Sequence, residues 1–170
     1  MVNQSGRIAT YLITSSSDDT SSDTDSNTDT DTDTDDEDIS DTETTLVQEE
    51  EMAEELASLI NSYRSENGLS TLTVSSTLNS YAMIRAEELY TTGIGHTRPD
   101  GSTAYSSWGI AGEICTITTG GASSALSSFQ NSSEHNSIML SNGCTQIGVG
   151  CTSYSLSSST TCYLWCVLFN

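Results

Sequence analysis

Two stretches near the end of the chain decide its class: Ile147-Gly148-Val149-Gly150-Cys151-Thr152-Ser153-Tyr154 and Cys162-Tyr163-Leu164-Trp165-Cys166-Val167-Leu168-Phe169. Both are of strand length, and both are apolar or alternating, so they read as a hairpin with a long Ser-rich connection. Residues 114–118 read as a further short strand, broken by Gly120-Gly121. Upstream the period changes. Leu46, Met52, Leu56, Leu59, Ile60 and Tyr63 recur at helical spacing as one apolar stripe. Thr44 or Thr45 stands where a cap is wanted, and Asn67-Gly68 where the helix would end. A second helix starts near Ser75 or Ser76, with Leu78, Ala82, Ala86 and Leu89 on its buried face and Gly93 just past its end. Residues 122–130 predict another helix, and Ser132 caps a short one carrying Glu134, His135, Ile138 and Met139. Helices, strand, helices, strands in that order predict an α+β domain with helices packed on an antiparallel sheet.

Charge divides the chain. Residues 1–45 hold 13 of the 24 acidic residues and one of the four basic ones; residues 46–170 hold 11 acids and Arg64, Arg85 and Arg98, a net of 3 − 11 = −8. There is no lysine. Such a surface repels phosphate backbones and anionic lipid, which argues against nucleic acid as a partner. Residues 1–45, almost wholly Ser, Thr, Asp and Glu over their second half, are expected to form a disordered acidic arm. They hold too little apolar surface to offset the entropy of ordering, and no EF-hand spacing is present. The folded domain is expected over 46–170, as a monomer. No apolar run approaches the ~20 residues of a membrane helix. Ile8-Ala9-Thr10-Tyr11-Leu12-Ile13 is too short for a signal peptide's apolar core, so either a leader has been trimmed or export takes another route.

Of the five cysteines, Cys144, Cys151, Cys162 and Cys166 fall in the last 27 residues, with no zinc-finger spacing. Disulfides in an oxidising compartment are the expectation. Cys144 or Cys151 pairing with Cys162 or Cys166 would staple the hairpin and leave Cys115 free; five reduced, buried cysteines are the alternative.

The two histidines sit in distinctive settings: Gly95-His96-Thr97-Arg98-Pro99-Asp100-Gly101-Ser102, then Ala111-Gly112-Glu113-Ile114, then Ser132-Ser133-Glu134-His135-Asn136-Ser137-Ile138. Around them stand Ile60-Asn61 with Arg64 and Asn67-Gly68-Leu69, Ala82 with Arg85-Ala86, Glu88-Leu89, and Ile147-Gly148-Val149-Gly150. Taken in order over residues 50–169, these motifs resemble the CAP superfamily (cysteine-rich secretory, antigen 5 and pathogenesis-related proteins, also called SCP-like), in its bacterial branch. The resemblance implies a three-layer α-β-α sandwich with a central antiparallel sheet, secretion or display at the cell surface, and a cleft of two histidines and two acids that binds a divalent metal in some members. His96 and His135 resemble the histidines and Glu113 the first acid. Residues 122–133 contain no acid, and Phe129 stands where a tryptophan is usual, so the tetrad is expected to be reduced to three. Glu134 is the remaining candidate.

Two neutral imidazoles with a nearby carboxylate can hold a divalent metal such as Zn²⁺, weakly and in competition with protons. Alternatively, both histidines hydrogen-bond Glu113 and brace the loops. Arg98 and Asp100 are expected to clamp the turn at Pro99. For function, a non-enzymatic binding module for a protein or lipid partner leads. The alternative is a metal-dependent or Ser/His/Glu hydrolase, with His96 and Glu113 activating Ser102 or Thr97; no Gly-x-Ser-x-Gly elbow supports it.

Overall fold

A computed structural model describes residues 44–170, so the expected acidic arm lies outside the described residues except for its last two positions. The element order is β1 (Val47–Gln48), α1 (Glu50–Glu66), β2 (Thr73–Val74), α2 (Ser76–Thr92), α3 (Ala104–Trp108), β3 (Gly112–Thr118), α4 (Ala122–Gln130), α5 (Ser133–Met139), β4 (Gln146–Ser157) and β5 (Thr160–Phe169). The sheet order is β1-β4-β5-β3, with β2 also on β4. The ladders are antiparallel apart from the short parallel β2–β4 pair. Helices α1, α4 and α5 cover one face and α2 the other, which makes the expected three-layer α-β-α sandwich.

Alternation along β4 and β5 sorts the core. Ile147, Val149, Cys151, Trp165, Val167 and Phe169 point to the α1 side, where they meet Leu56, Ile60 and Phe129. Leu164, Cys166 and Leu168 point to the α2 side and meet Leu78, Ala82, Ala86 and Leu89. Each fully buried Leu, Ile or Phe contributes about 1.5–3 kcal/mol. Where β4 passes beneath Leu78 and Ala82 of α2 it presents Gly148 and Gly150. A Cβ there would lie 2.2 Å from the Leu78 and Ala82 carbonyl carbons, so the glycines let the helix backbone lie on the strand.

Helix α1 ends at Asn67, with Gly68 at φ 75°. It carries two polar anchors. Asn61 exchanges two hydrogen bonds with the Leu72 backbone (2.9 and 2.7 Å) and so places β2. The buried Arg64 guanidinium donates to the carbonyls of Ser70, Met139 and Ser141, tying α1 to the end of α5. Helix α2 is capped by Ser75 and stops at Gly93 (φ 70°), as its sequence predicts.

Four expectations need correction. Leu46 does not extend the α1 stripe; it packs in the α2-side core, because β1 intervenes and the helix starts only at Glu50. Accordingly neither Thr44 nor Thr45 caps α1, whose cap residue is Glu49, without a side-chain hydrogen bond. The hairpin connection is short: Ser157 pairs with Thr160, and the Ser-rich stretch continues the strands through a bulge at 155–157. All five cysteines are free thiols and buried. The expected staple fails on geometry: Cys144 and Cys151 face the α1 side, while Cys166, and by alternation Cys162, face the α2 side. Helix α3, between the Pro99 turn and β3, is held by a capping box between Thr103 and Ser106.

Among the described residues, no helix is long and apolar enough to cross a membrane.

Candidate functional site

The site gathers at the Gly112 end of β3. Glu113 is the second residue of that strand, fully buried, with its side chain on the α2 side beneath the helix. A carboxylate there needs donors for both oxygens. Arg85, on the buried face of α2, supplies one through Nε to Oε1 at 2.7 Å. Where α2 stops at Gly93 the chain turns over the strand end, and His96 Nδ1 meets Oε2 at 2.7 Å. Arg85 also donates to the Gly95 carbonyl (2.7 Å), which fixes the loop that carries His96. The Glu113 amide donates to the Tyr105 hydroxyl of α3 at 3.1 Å.

Beyond Arg85 the charges alternate. Arg85 reaches Glu88 at 3.1 Å, and Arg98 holds both Glu88 oxygens, the shorter contact 2.7 Å. The Arg98 guanidinium lies 4.3 Å over the Trp108 ring, which stacks on Tyr81 with centroids 4.7 Å apart. His96, Glu113, Arg85, Glu88 and Arg98 thus form one chain of paired groups from the sheet to an aromatic stack. Burial alone would lower the Arg85 pKa, but the hydrogen bond and charge of Glu113 outweigh it and hold it above its ordinary value. The hydrogen bonds that Arg98 donates to Glu88 likewise raise its pKa.

His135 is set on α5 by the Ser132 cap, with its ring edge-on to Phe129 at 5.5 Å. Its pKa is lowered, first by burial and then by the charge of His96, against a smaller opposite push from Glu134. The two imidazoles are thus near enough for their charges to interact. Among the described residues, however, the His135 ring makes no hydrogen bond to Glu113; of the two expected braces, only His96 acts as one. Glu134 is exposed.

An ionised carboxylate only accepts, so Nδ1 of His96 carries a proton, and in the neutral ring Nε2 keeps a lone pair. The His96 side chain remains 53% exposed, and with Nδ1 on Glu113 it is Nε2 that is left for a ligand. Glu113 orients His96 and has no oxygen left over for a ligand.

The geometry redraws two other residue sets. The Arg98 side chain does not clamp its own turn. It pairs with Glu88, while the turn is closed by backbone hydrogen bonds, from the Arg98 amide to the Ser102 carbonyl (2.8 Å) and from the Gly101 amide to the Arg98 carbonyl (2.9 Å), and by Asp100 Oδ1 accepting from the Ser102 amide and hydroxyl (2.9 and 2.6 Å). The Ser102 hydroxyl, also 2.8 Å from Ser107 Oγ, is not bonded to His96, and Thr97 lies in a bridge with Thr103. Among the described residues no hydroxyl bonds His96, so the nucleophile–base contact of a serine hydrolase is not formed. Two cavities, of about 460 and 310 Å³, lie elsewhere, between α1 and α2, lined in part by Glu50, Glu54 and Glu87. Those carboxylates suit polar rather than fatty ligands.

Comparison with known proteins agrees with this architecture. The family described as "CAP: Cysteine-rich secretory protein family" matches residues 57–169. An outer surface protein of Borrelia burgdorferi is structurally similar with a TM-score of 0.54 and 18% identity, over 71% of this chain and 92% of that one. An extracellular protein containing an SCP domain from Bacillus anthracis gives a TM-score of 0.55 and 18% identity, over 72% of this chain and 41% of that one. The chain thus spans less than half of the Bacillus protein. No curated protein matches the sequence.

Proposed function

This chain belongs to the CAP family of cysteine-rich secretory proteins, and from that premise we propose that it is an extracellular or surface-displayed binding module, not an enzyme, whose cleft takes a divalent cation between His96 and His135. The observation that carries the reading is the His96–Glu113 contact of 2.7 Å, with the carboxylate buried and held by Arg85 and the imidazole exposed. A carboxylate behind a histidine fixes the tautomer and makes the outer nitrogen a better ligand.

The donor set fits a weak site. His96 Nε2 and one His135 ring nitrogen are the protein ligands, and waters complete the shell, against three or four protein ligands in strong zinc sites. The lowered pKa of His135 keeps it neutral, and so competent as a ligand, near neutral pH. A bound cation would supply a positive charge and open positions for an oxygen-bearing partner group. The extracellular part of the reading draws support from the similar proteins, one an outer surface protein and one extracellular by name.

The test is calorimetric titration of the purified chain with Zn²⁺ at pH 7.5, repeated on His135→Ala. Heat of binding in the wild type that disappears in the variant is expected. No heat in the wild type would refute the cation and leave His96–Glu113 as a brace alone.

A further inference from the structure

Below Glu113 on the same face of the sheet, Cys115 of β3 stands directly opposite Cys166 of β5. Their sulfurs and a Glu113 oxygen all lie within 4.8 Å of one another, and Cys166 Sγ is 3.8 Å from Glu113 Oε1. This trio does not suit a metal, because Arg85 already occupies that oxygen. We propose instead that Cys115 and Cys166 close into a cross-strand disulfide when the protein folds in an oxidising compartment, and that Cys144, Cys151 and Cys162 remain thiols.

The remaining pairings fail on the fold itself. Cys144 and Cys151 face the α1 side, so neither reaches a cysteine on the α2 side. Cys144 precedes Gln146 by two residues and Cys151 follows it by five along an extended strand. Even with the first segment doubled back, that leaves them about 9 Å apart or more, beyond the ~7 Å limit between Cα atoms. Cys162 is four residues from Cys166 along β5 and pairs with Tyr154, which places it about 13 Å from both Cys166 and the position opposite it. Facing residues on adjacent antiparallel strands bring their Cβ atoms to roughly 4.5–5.5 Å, within a small adjustment of disulfide geometry.

The chemistry is thiol–disulfide exchange with a disulfide-form oxidant, whether a thiol oxidoreductase or a small-molecule disulfide. One thiolate attacks the oxidant, forming a mixed disulfide and releasing one thiol. The second thiolate attacks the mixed bond, forming Cys115–Cys166 and releasing the other. Two electrons and two protons pass to the oxidant. Cys115 is 2% exposed and Cys166 not at all, so the exchange occurs before the sheet closes over them. Burial also pushes the Cys166 thiol well up, which makes that thiol a poor nucleophile once the sheet has closed.

The test is peptide mapping by mass spectrometry of the full chain refolded with oxidised glutathione, with alkylation in denaturant. One cross-linked pair, Cys115 with Cys166, and three alkylated cysteines are expected. Five alkylated cysteines, a bond involving any other cysteine, or a disulfide-linked dimer would overturn the proposal. In parallel, reduction of the refolded wild type should lower Tm by an amount on the order of 10 °C, because the bond closes a long loop. The Cys115→Ala/Cys166→Ala variant should melt at a temperature that reductant does not change. A wild-type Tm equally indifferent to reductant would refute the bond.

Discussion

Replacing Arg85 by Met puts the buried ion pair to the test. The guanidinium and the Glu113 carboxylate are both fully buried and 2.7 Å apart, so solvent screens neither. Met keeps most of the aliphatic volume but leaves a carboxylate in the core with the His96 ring and the Cys166 thiol as its remaining side-chain partners. It also frees the Gly95 carbonyl and one contact of Glu88. Breaking a buried pair from one side costs about 3–5 kcal/mol. With a urea m-value of about 1–3 kcal/mol/M, the midpoint should fall by roughly 2 M. That is a large part of a domain's stability of about 5–15 kcal/mol, so a second arm is needed. In the double variant Arg85→Met/Glu113→Gln no unpaired charge is buried, and about 2 kcal/mol of the loss should return. Urea unfolding followed by circular dichroism reads both. A single variant within about 1 kcal/mol of wild type, or a double variant whose loss equals the sum of the two singles, would refute the account of Glu113 as a charge held by Arg85.

Two further predictions rest on other parts of the fold. Gly150→Ala places a Cβ 2.2 Å from the Ala82 carbonyl carbon, backbone that cannot move aside, so thermal melting should show a loss of at least about 1–3 kcal/mol. For His135 the folded pKa is depressed, so the unfolded chain binds more protons and stability rises with pH through the window. The contribution is fully present above the ordinary value of about 6.5 and is lost as pH falls through the folded pKa. His135→Asn should therefore narrow the stability gap between pH 7.5 and pH 5, measured by urea titration at each pH; an unchanged gap would refute it.

Much of the fold was legible in the residues because it rests on local periodicity. The buried faces of α1 and α2, the stops at Asn67-Gly68 and Gly93, and the strands of the last 25 residues follow from spacing and turn chemistry. What failed was non-local. Leu46 matches the helical spacing, but Val47 and Gln48 are claimed by β4 residues more than a hundred positions away. The Ser-rich stretch 155–159 reads as loop, yet the register of the β4–β5 ladder carries Ser155 and Ser157 into β4 and leaves only Ser158 and Ser159 for the turn. The cysteine pairing suggested by closeness in sequence overlooked that odd and even positions of a strand face opposite ways, a signal that was present in the numbering. His96, Glu113 and His135 were legible as candidates through the family's motifs, but their division of labour was not. Nothing in the sequence states that Arg85 would occupy Glu113, that Arg98 would reach back to Glu88 rather than to Asp100, or that α3 would set Tyr105 and Trp108 against them.

The last strand in the chain, β5, lies in the middle of the sheet, between β4 and β3. The first, β1, pairs Val47 with Ser153, a separation of 153 − 47 = 106 residues. A ribosome delivering this chain therefore makes α1 and α2 long before the surface they rest on exists. Until Phe169 has been synthesised there is no two-sided core for any helix to dock against, and the helices alone are marginal in water. Folding of this domain therefore waits, in its essential step, on β5. The domain closes only once that strand slots between β4 and β3.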